Sequence, residues 1–180
     1  IEAHNNLGLV YFEQQRFEEA VNEYMIVIKL KPNYAEAHYN IGNVYSTLSK
    51  FDEAIKEYMI ALRLKPNYAE IHNNLGNIYS EQQKFEDAIK EYMTTLRLKP
   101  DYAEAHYNLG NIYLAQGRFD EAIKEYLLTL ELRPLDADTH SNIGNAYSAL
   151  GRFDEAIREY TIALRLKPDD VDAHYNLGNA

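Results

Sequence analysis

His4, His38, His72, His106, His140 and His174 are the chain's only histidines, and each stands 34 residues from the next. Six imidazoles in register are the side chains best placed to bind a metal or move a proton near neutral pH. A zinc ion needs its ligands at about 2.0–2.3 Å, whereas equivalent residues on neighbouring packed helices stand roughly 8–10 Å apart. No second ligand recurs beside each histidine at metal-binding spacing, so the pattern implies packed core imidazoles and no metal site. Imidazoles held neutral in a core would have to charge in acid, and acid would then destabilise the protein. The chain has no cysteine, which removes disulfides, thiolate ligands and a Cys nucleophile. It shows no phosphate-cradling Gly loop, zinc-protease motif or serine elbow. The reading is therefore of a protein with no catalytic residue and no cofactor.

Asparagine is the second residue type on a grid. Asn6, Asn40, Asn74, Asn108, Asn142 and Asn176 form one column, and Asn43, Asn77, Asn111, Asn145 and Asn179 form another, broken at Leu9. Paired members are three apart and share one helix face. Beside them Tyr39, Tyr107 and Tyr175 alternate with Asn5, Asn73 and Ser141. A primary amide offers donors and an acceptor, matching one peptide unit. A ladder of amides could grip an extended main chain whatever its side chains, each bond contributing about 0.5–1.5 kcal/mol. After ordering costs, that suggests affinities on the order of micromolar. The expected peptide-binding residues are Asn6, Asn40, Asn43, Asn74, Asn77, Asn108, Asn111, Asn142 and Asn145, with Tyr39, Asn73 and Tyr107. Glu36, Glu70 and Glu104 would favour a guest with Lys or Arg, although first-turn carboxylates also complement the helix dipole.

The elements that carry these side chains follow from the same period. Pro32, Pro66, Pro100, Pro134 and Pro168 are the only prolines, and Gly8, Gly42, Gly76, Gly110, Gly144 and Gly178 keep the same step, as do Ala20, Ala54, Ala88, Ala122 and Ala156. Each unit reads as two amphipathic helices. In the second unit, Ala35 to Leu48 is apolar at Ile41, Val44, Tyr45 and Leu48, and Phe51 to Leu64 at Ile55, Tyr58, Met59 and Leu62. Ser49-Lys50 makes the turn between them. Pro66 stops the second helix, and Asn67 is expected to cap the next. Gly42 and Ala54 are small where the paired helices approach closely. One pair cannot bury its apolar face alone, so neighbours must stack. The units are 1–34, 35–68, 69–102, 103–136 and 137–170, with a sixth begun at 171–180, read as a single array.

His38-x-x-Ile41-Gly42-x-x-Tyr45, then Ala54-x-x-x-Tyr58, then Pro66 resembles the tetratricopeptide-repeat (TPR) pattern Trp-x-x-Leu-Gly-x-x-Tyr, Ala-x-x-x-Phe, Pro, with His for Trp in every unit. The resemblance covers the whole chain. It implies an all-α, right-handed α-solenoid whose first helices line a concave groove that holds a peptide. The columns, as in Ala105-His106-Tyr107-Asn108-Leu109, also resemble the asparagine ladder in the repeat domain of O-GlcNAc transferase and consensus arrays of the family. The main expectation is a protein-interaction scaffold. The alternatives are a self-assembling structural array and the substrate-presenting domain of a larger enzyme such as a glycosyltransferase.

Charge narrows the partner. The net charge is −10 and the pI about 5.0, so a phosphate backbone is not an expected partner. The first helices hold no Lys or Arg, and their acids are Glu2, Glu13, Glu36, Glu70, Glu81, Glu104, Asp138 and Asp172. A neutral or basic extended peptide is the expected guest. Relatives that bind acidic chaperone tails use groove cations, and no such tail is expected to bind here. On the second helices Asp52/Lys56, Glu86/Lys90, Asp120/Lys124 and Asp154/Arg158 read as solvated pairs four apart. No apolar run approaches the roughly 20 residues that span a bilayer, and no basic signal region opens the chain. No membrane association and a cytoplasmic location are expected. The chain begins on a first helix and ends ten residues into another, which suggests a segment of a longer array and possible head-to-tail self-association.

Overall fold

In a computed structural model that describes all 180 residues, eleven helices follow one another: α1 (Glu2–Glu13), α2 (Phe17–Leu30), α3 (Ala35–Thr47), α4 (Phe51–Leu64), α5 (Ala69–Glu81), α6 (Phe85–Leu98), α7 (Ala103–Ala115), α8 (Phe119–Leu132), α9 (Ala137–Ala149), α10 (Phe153–Leu166) and α11 (Val171–Asn179). They form two compact units, Ile1–Lys84 and Phe85–Ala180. Each is a stack of antiparallel helix pairs, the arrangement of an α-solenoid.

The core is shared between pairs. In the first unit Ala20, Tyr24 and Val27 of α2 pack on Ala37, Ile41 and Val44 of α3. Ala54, Tyr58 and Ala61 of α4 then pack on Ile71, Leu75 and Ile78 of α5. In the second unit Ala122, Ile123 and Tyr126 of α8 meet Ile143 and Ala146 of α9. Each second helix thus completes its burial only against the next first helix, which is why one pair could not be stable alone. Within a pair, the glycines set the distance. A Cβ built on Gly42 would stand 2.5 Å from Cε1 of Tyr58, and Gly8, Gly110 and Gly144 meet Tyr24, Tyr126 and Tyr160 in the same way.

The turn inside each pair places one residue in the left-handed region: Gln15 (φ 59°), Ser49 (φ 55°), Gln83 (φ 59°), Gly117 (φ 72°) and Gly151 (φ 71°). Two of these five positions already carry glycine. A side chain there costs roughly 1 kcal/mol. Ser49→Gly and Gln15→Gly are therefore expected each to raise stability by about 1 kcal/mol in urea unfolding, and unchanged midpoints would refute the assignment of strain to these turns.

The helix starts differ from expectation. Tyr68, not Asn67, is the residue before α5, and it makes no side-chain cap. Its ring instead packs on Tyr39, with centroids 4.9 Å apart, and lies under the Lys65 ammonium at 4.2 Å. Aromatic burial at the loop replaces the cap. Where tyrosine gives way to aspartate, the cap returns: Asp136 accepts from the Thr139 amide and Asp170 from the Ala173 amide, each at 3.0 Å. The surface ion pairs also differ. Arg16, Arg118 and Arg152, just before the second helices, pair three residues on with Glu19, Glu121 and Glu155. Each guanidinium lies over a ring, Tyr11, Tyr113 or Tyr147, at 4.1–4.4 Å. Arg158, expected on the Asp154 carboxylate, donates from Nε to the Asp154 backbone carbonyl at 3.3 Å.

Candidate functional site

The asparagine columns lie on the first helices, and the structure joins them through tyrosines of the second helices. In the first unit Asn43 Oδ1 accepts two hydrogen bonds, from Tyr58 OH at 2.7 Å and from Asn74 Nδ2 at 2.9 Å. Asn74 Nδ2 also lies 3.3 Å from Tyr58 OH. The second unit holds two further copies. Asn111 Oδ1 accepts from Tyr126 OH (2.8 Å) and Asn142 Nδ2 (3.2 Å), and Asn145 Oδ1 accepts from Tyr160 OH (2.8 Å) and Asn176 Nδ2 (3.0 Å). Burial pushes the phenols of Tyr58, Tyr126 and Tyr160 up, Asn74 and Asn142 opposing the rise at the first two. All three therefore remain hydroxyl donors at neutral pH. These clasps tie α3 and α4 to α5 in the first unit, and α7 and α8 to α9 and α9 and α10 to α11 in the second.

Two clefts border the clasps. One of about 240 Å³ is lined by Phe12, Asn43, Ser46, Thr47, Tyr58, Asn74 and Asn77. The other, of about 270 Å³ in the second unit, is lined by Tyr107, Asp138, Ser141, Asn142, Asn145, Lys167, Asp170, Asp172 and Asn176. The second cleft corrects the expectation of a face free of cations. Lys167, from the loop before α11, reaches Asp138 at 3.5 Å and Asp170 at 3.7 Å. These carboxylates, Asp138 foremost, push the lysine's pKa up. A loop residue can reach the first-helix face although no first helix carries a base.

The other expected site residues divide by exposure. Asn6 and Glu36 are exposed, and Asn77, Asn108, Glu70 and Glu104 are half-buried. Asn40 is only 8% exposed, and its Nδ2 donates to Asn5 Oδ1 at 3.0 Å. Asn73 is 1% exposed and cannot reach a guest. Its column points toward packed rings: Tyr39 lies 6.1 Å from Tyr58, and Tyr107 lies 6.0 Å from Tyr126. The shorter asparagine at that position sits beneath the surface, and the two tyrosines serve the core more than the clefts. The Glu36 carboxylate stands beside Tyr34 and pushes its phenol up. Tyr68, raised to about 12 chiefly by burial, also feels Tyr39, Glu36 and Glu70. The first-turn acids thus stand at the loop tyrosines, at one end of the asparagine face.

Four of the histidines do more than pack: they are hydrogen-bonded across the turn. His4, His38, His106 and His140 each place Nδ1 2.6–2.7 Å from a carboxylate on their own second helix, Glu23, Glu57, Glu125 or Glu159. The glutamates recur every 34 residues, so the signal was present in the sequence. What was missing was the 19-residue pairing across the turn.

The sequence profile of the TPR repeat matches residues 8–49, 47–83, 76–117, 110–151 and 144–180. The chain belongs to the TPR family. Its TPR repeats are those of a protein–protein interaction scaffold. Solved structures agree on the fold. A crystal structure of MamA protein is 27% identical, covering 93% of this TPR chain and 91% of its own, with a TM-score of 0.79. A second MamA crystal structure is 28% identical over 89% and 94%, with a TM-score of 0.80. YrrB, described as a TPR protein with an unusual peptide-binding site, is 23% identical over 96% and 89%, with a TM-score of 0.78. No curated protein matched the sequence. No helix of this TPR chain is long and apolar enough to cross a membrane.

Proposed function

We propose that the chain is a non-enzymatic scaffold that holds an extended polypeptide, neutral to basic, against the asparagine-bearing face of its first helices. The supporting observation is that the clasps spend only part of each amide. Asn43, half-buried at the edge of its cleft, keeps both Nδ2 hydrogens, and Asn74 keeps its Oδ1. Amide groups of both kinds, spaced along a half-buried face, suit a main chain. The acids Glu36, Glu70, Glu104 and Asp138 favour basic side chains beside it.

Fluorescence anisotropy with twelve-residue peptides of basic, neutral and acidic composition tests this reading. Basic and neutral members are expected to bind with dissociation constants on the order of micromolar, with the basic ones weakened by salt. A preference for acidic peptides, or no binding across the set, would overturn it. Asn74→Ala is a poor probe of binding, because it also opens a clasp.

A further inference from the structure

The two asparagine columns are not equivalent. The tyrosine hydroxyl and the next asparagine fill both acceptor positions of Asn43, Asn111 and Asn145. An amide oxygen has two lone pairs, so these three residues have only N–H groups left to offer. Their partners Asn74, Asn142 and Asn176 spend Nδ2 and keep Oδ1. We infer that the clasp sorts the face within each unit: Asn43 in the first, and Asn111 and Asn145 in the second, offer donors that take main-chain carbonyl oxygens of a guest, while Asn74 in the first, and Asn142 and Asn176 in the second, offer acceptors that take its N–H groups. This deepens the reading above and rests on it. The tyrosine of the second helix is then a positioning residue. By fixing which end of each amide turns inward, it sets which atoms of the guest can be read.

The sorting makes aspartate a discriminating substitution. Asn43→Asp keeps an acceptor toward Tyr58 OH and Asn74 Nδ2 but removes the outward donors. Asn74→Asp instead sets a carboxylate oxygen against Asn43 Oδ1. Thermal melts are expected to leave N43D within about 2 °C of the wild type and to lower N74D by roughly 5 °C. The reverse order, or equal losses, would overturn the sorting, since amides turned the other way would tolerate N74D.

Guest recognition is read by isothermal titration calorimetry with unlabelled acetyl-(Ser-Ala)6-amide, a neutral probe that added carboxylates neither attract nor repel. The triple variant N43D/N111D/N145D is expected to bind it at least about tenfold more weakly than the wild type. Equal binding by the two would overturn the carbonyl assignment and leave the polypeptide reading standing. Failure of the wild type to bind, with the melting order as expected, would sink the polypeptide reading and the carbonyl assignment with it.

Discussion

Replacing Gly42 with alanine is expected to destabilise the first unit by about 2–3 kcal/mol, even though alanine is the better helix former. In an open helix the exchange would gain roughly 1 kcal/mol. Here the new methyl would stand 2.5, 2.6 and 3.1 Å from three ring atoms of Tyr58. That ring has no room to yield. It is fully buried, its hydroxyl is held by Asn43, and Tyr39 lies 6.1 Å away. The helices must part, and overpacking of this kind costs about 1–3 kcal/mol before the loss of neighbouring contacts. Gly110→Ala and Gly144→Ala should behave alike against Tyr126 and Tyr160. Gly178→Ala is the control, because nothing lies within 4 Å of its Cβ position. Urea unfolding should place Gly42→Ala well below the wild type and Gly178→Ala level with it or above. Adding Tyr58→Leu to Gly42→Ala should recover part of the loss relative to the sum of the single changes. A Gly42→Ala protein as stable as the wild type would show that the helices are not held together at this point.

The contrast between that glycine and the clasps shows what a repeat makes legible. Gly42, Ala54 and Pro66 each announce themselves alone. A small residue, a second small residue and a helix stop recur every 34 positions, and each meaning follows from one residue's own shape. The helices and their small-residue contacts were readable for that reason. The clasp joins residues 15 and 31 positions apart, from three helices, and the histidine pair spans 19. Those separations depend on how one pair is staggered against the next, which the period leaves open. The two asparagine columns therefore read as one face of equal amides, whereas half of their capacity is turned inward. Substitutions within a column could have warned of this. Leu9 stands where Asn43 does, and in the neighbouring column Asn73 stands where Tyr39 does, so the face is not uniform in its task. The loops mislead for a different reason. Asn67 looked like a cap because asparagine favours that role, yet Tyr68 takes the position and gains ring contacts instead. Lys167 lies outside the first helices, so their lack of bases says nothing of it, and a loop residue is free to lean either way.

Mild alkalinity, rather than mild acid, is expected to weaken the His106 contact. The imidazole meets two acceptors: Glu125 Oε2 at 2.7 Å from Nδ1 and the Pro100 carbonyl at 3.1 Å from Nε2. A neutral ring can donate from one nitrogen only, whereas the imidazolium donates from both. The Glu125 hydrogen bond is the largest influence and raises the histidine's pKa above its ordinary 6.5, against burial, with help from the Pro100 carbonyl and the charges of Glu125 and Glu131. A group whose folded pKa exceeds its unfolded value binds protons more tightly in the folded state. Its stabilisation is complete below pH 6.5 and is lost as pH rises through the folded pKa. This reverses the expectation for a buried neutral ring, because the carboxylate outweighs desolvation. Glu125→Gln keeps an acceptor for Nδ1 and removes the charge, and should cost about 1–2 kcal/mol at pH 6 and less at pH 8.5. Urea midpoints between those two pH values should fall more for the wild type than for the variant. Equal slopes in the two proteins, or a wild-type midpoint that rises with pH across that range, would show that the imidazole is held neutral after all.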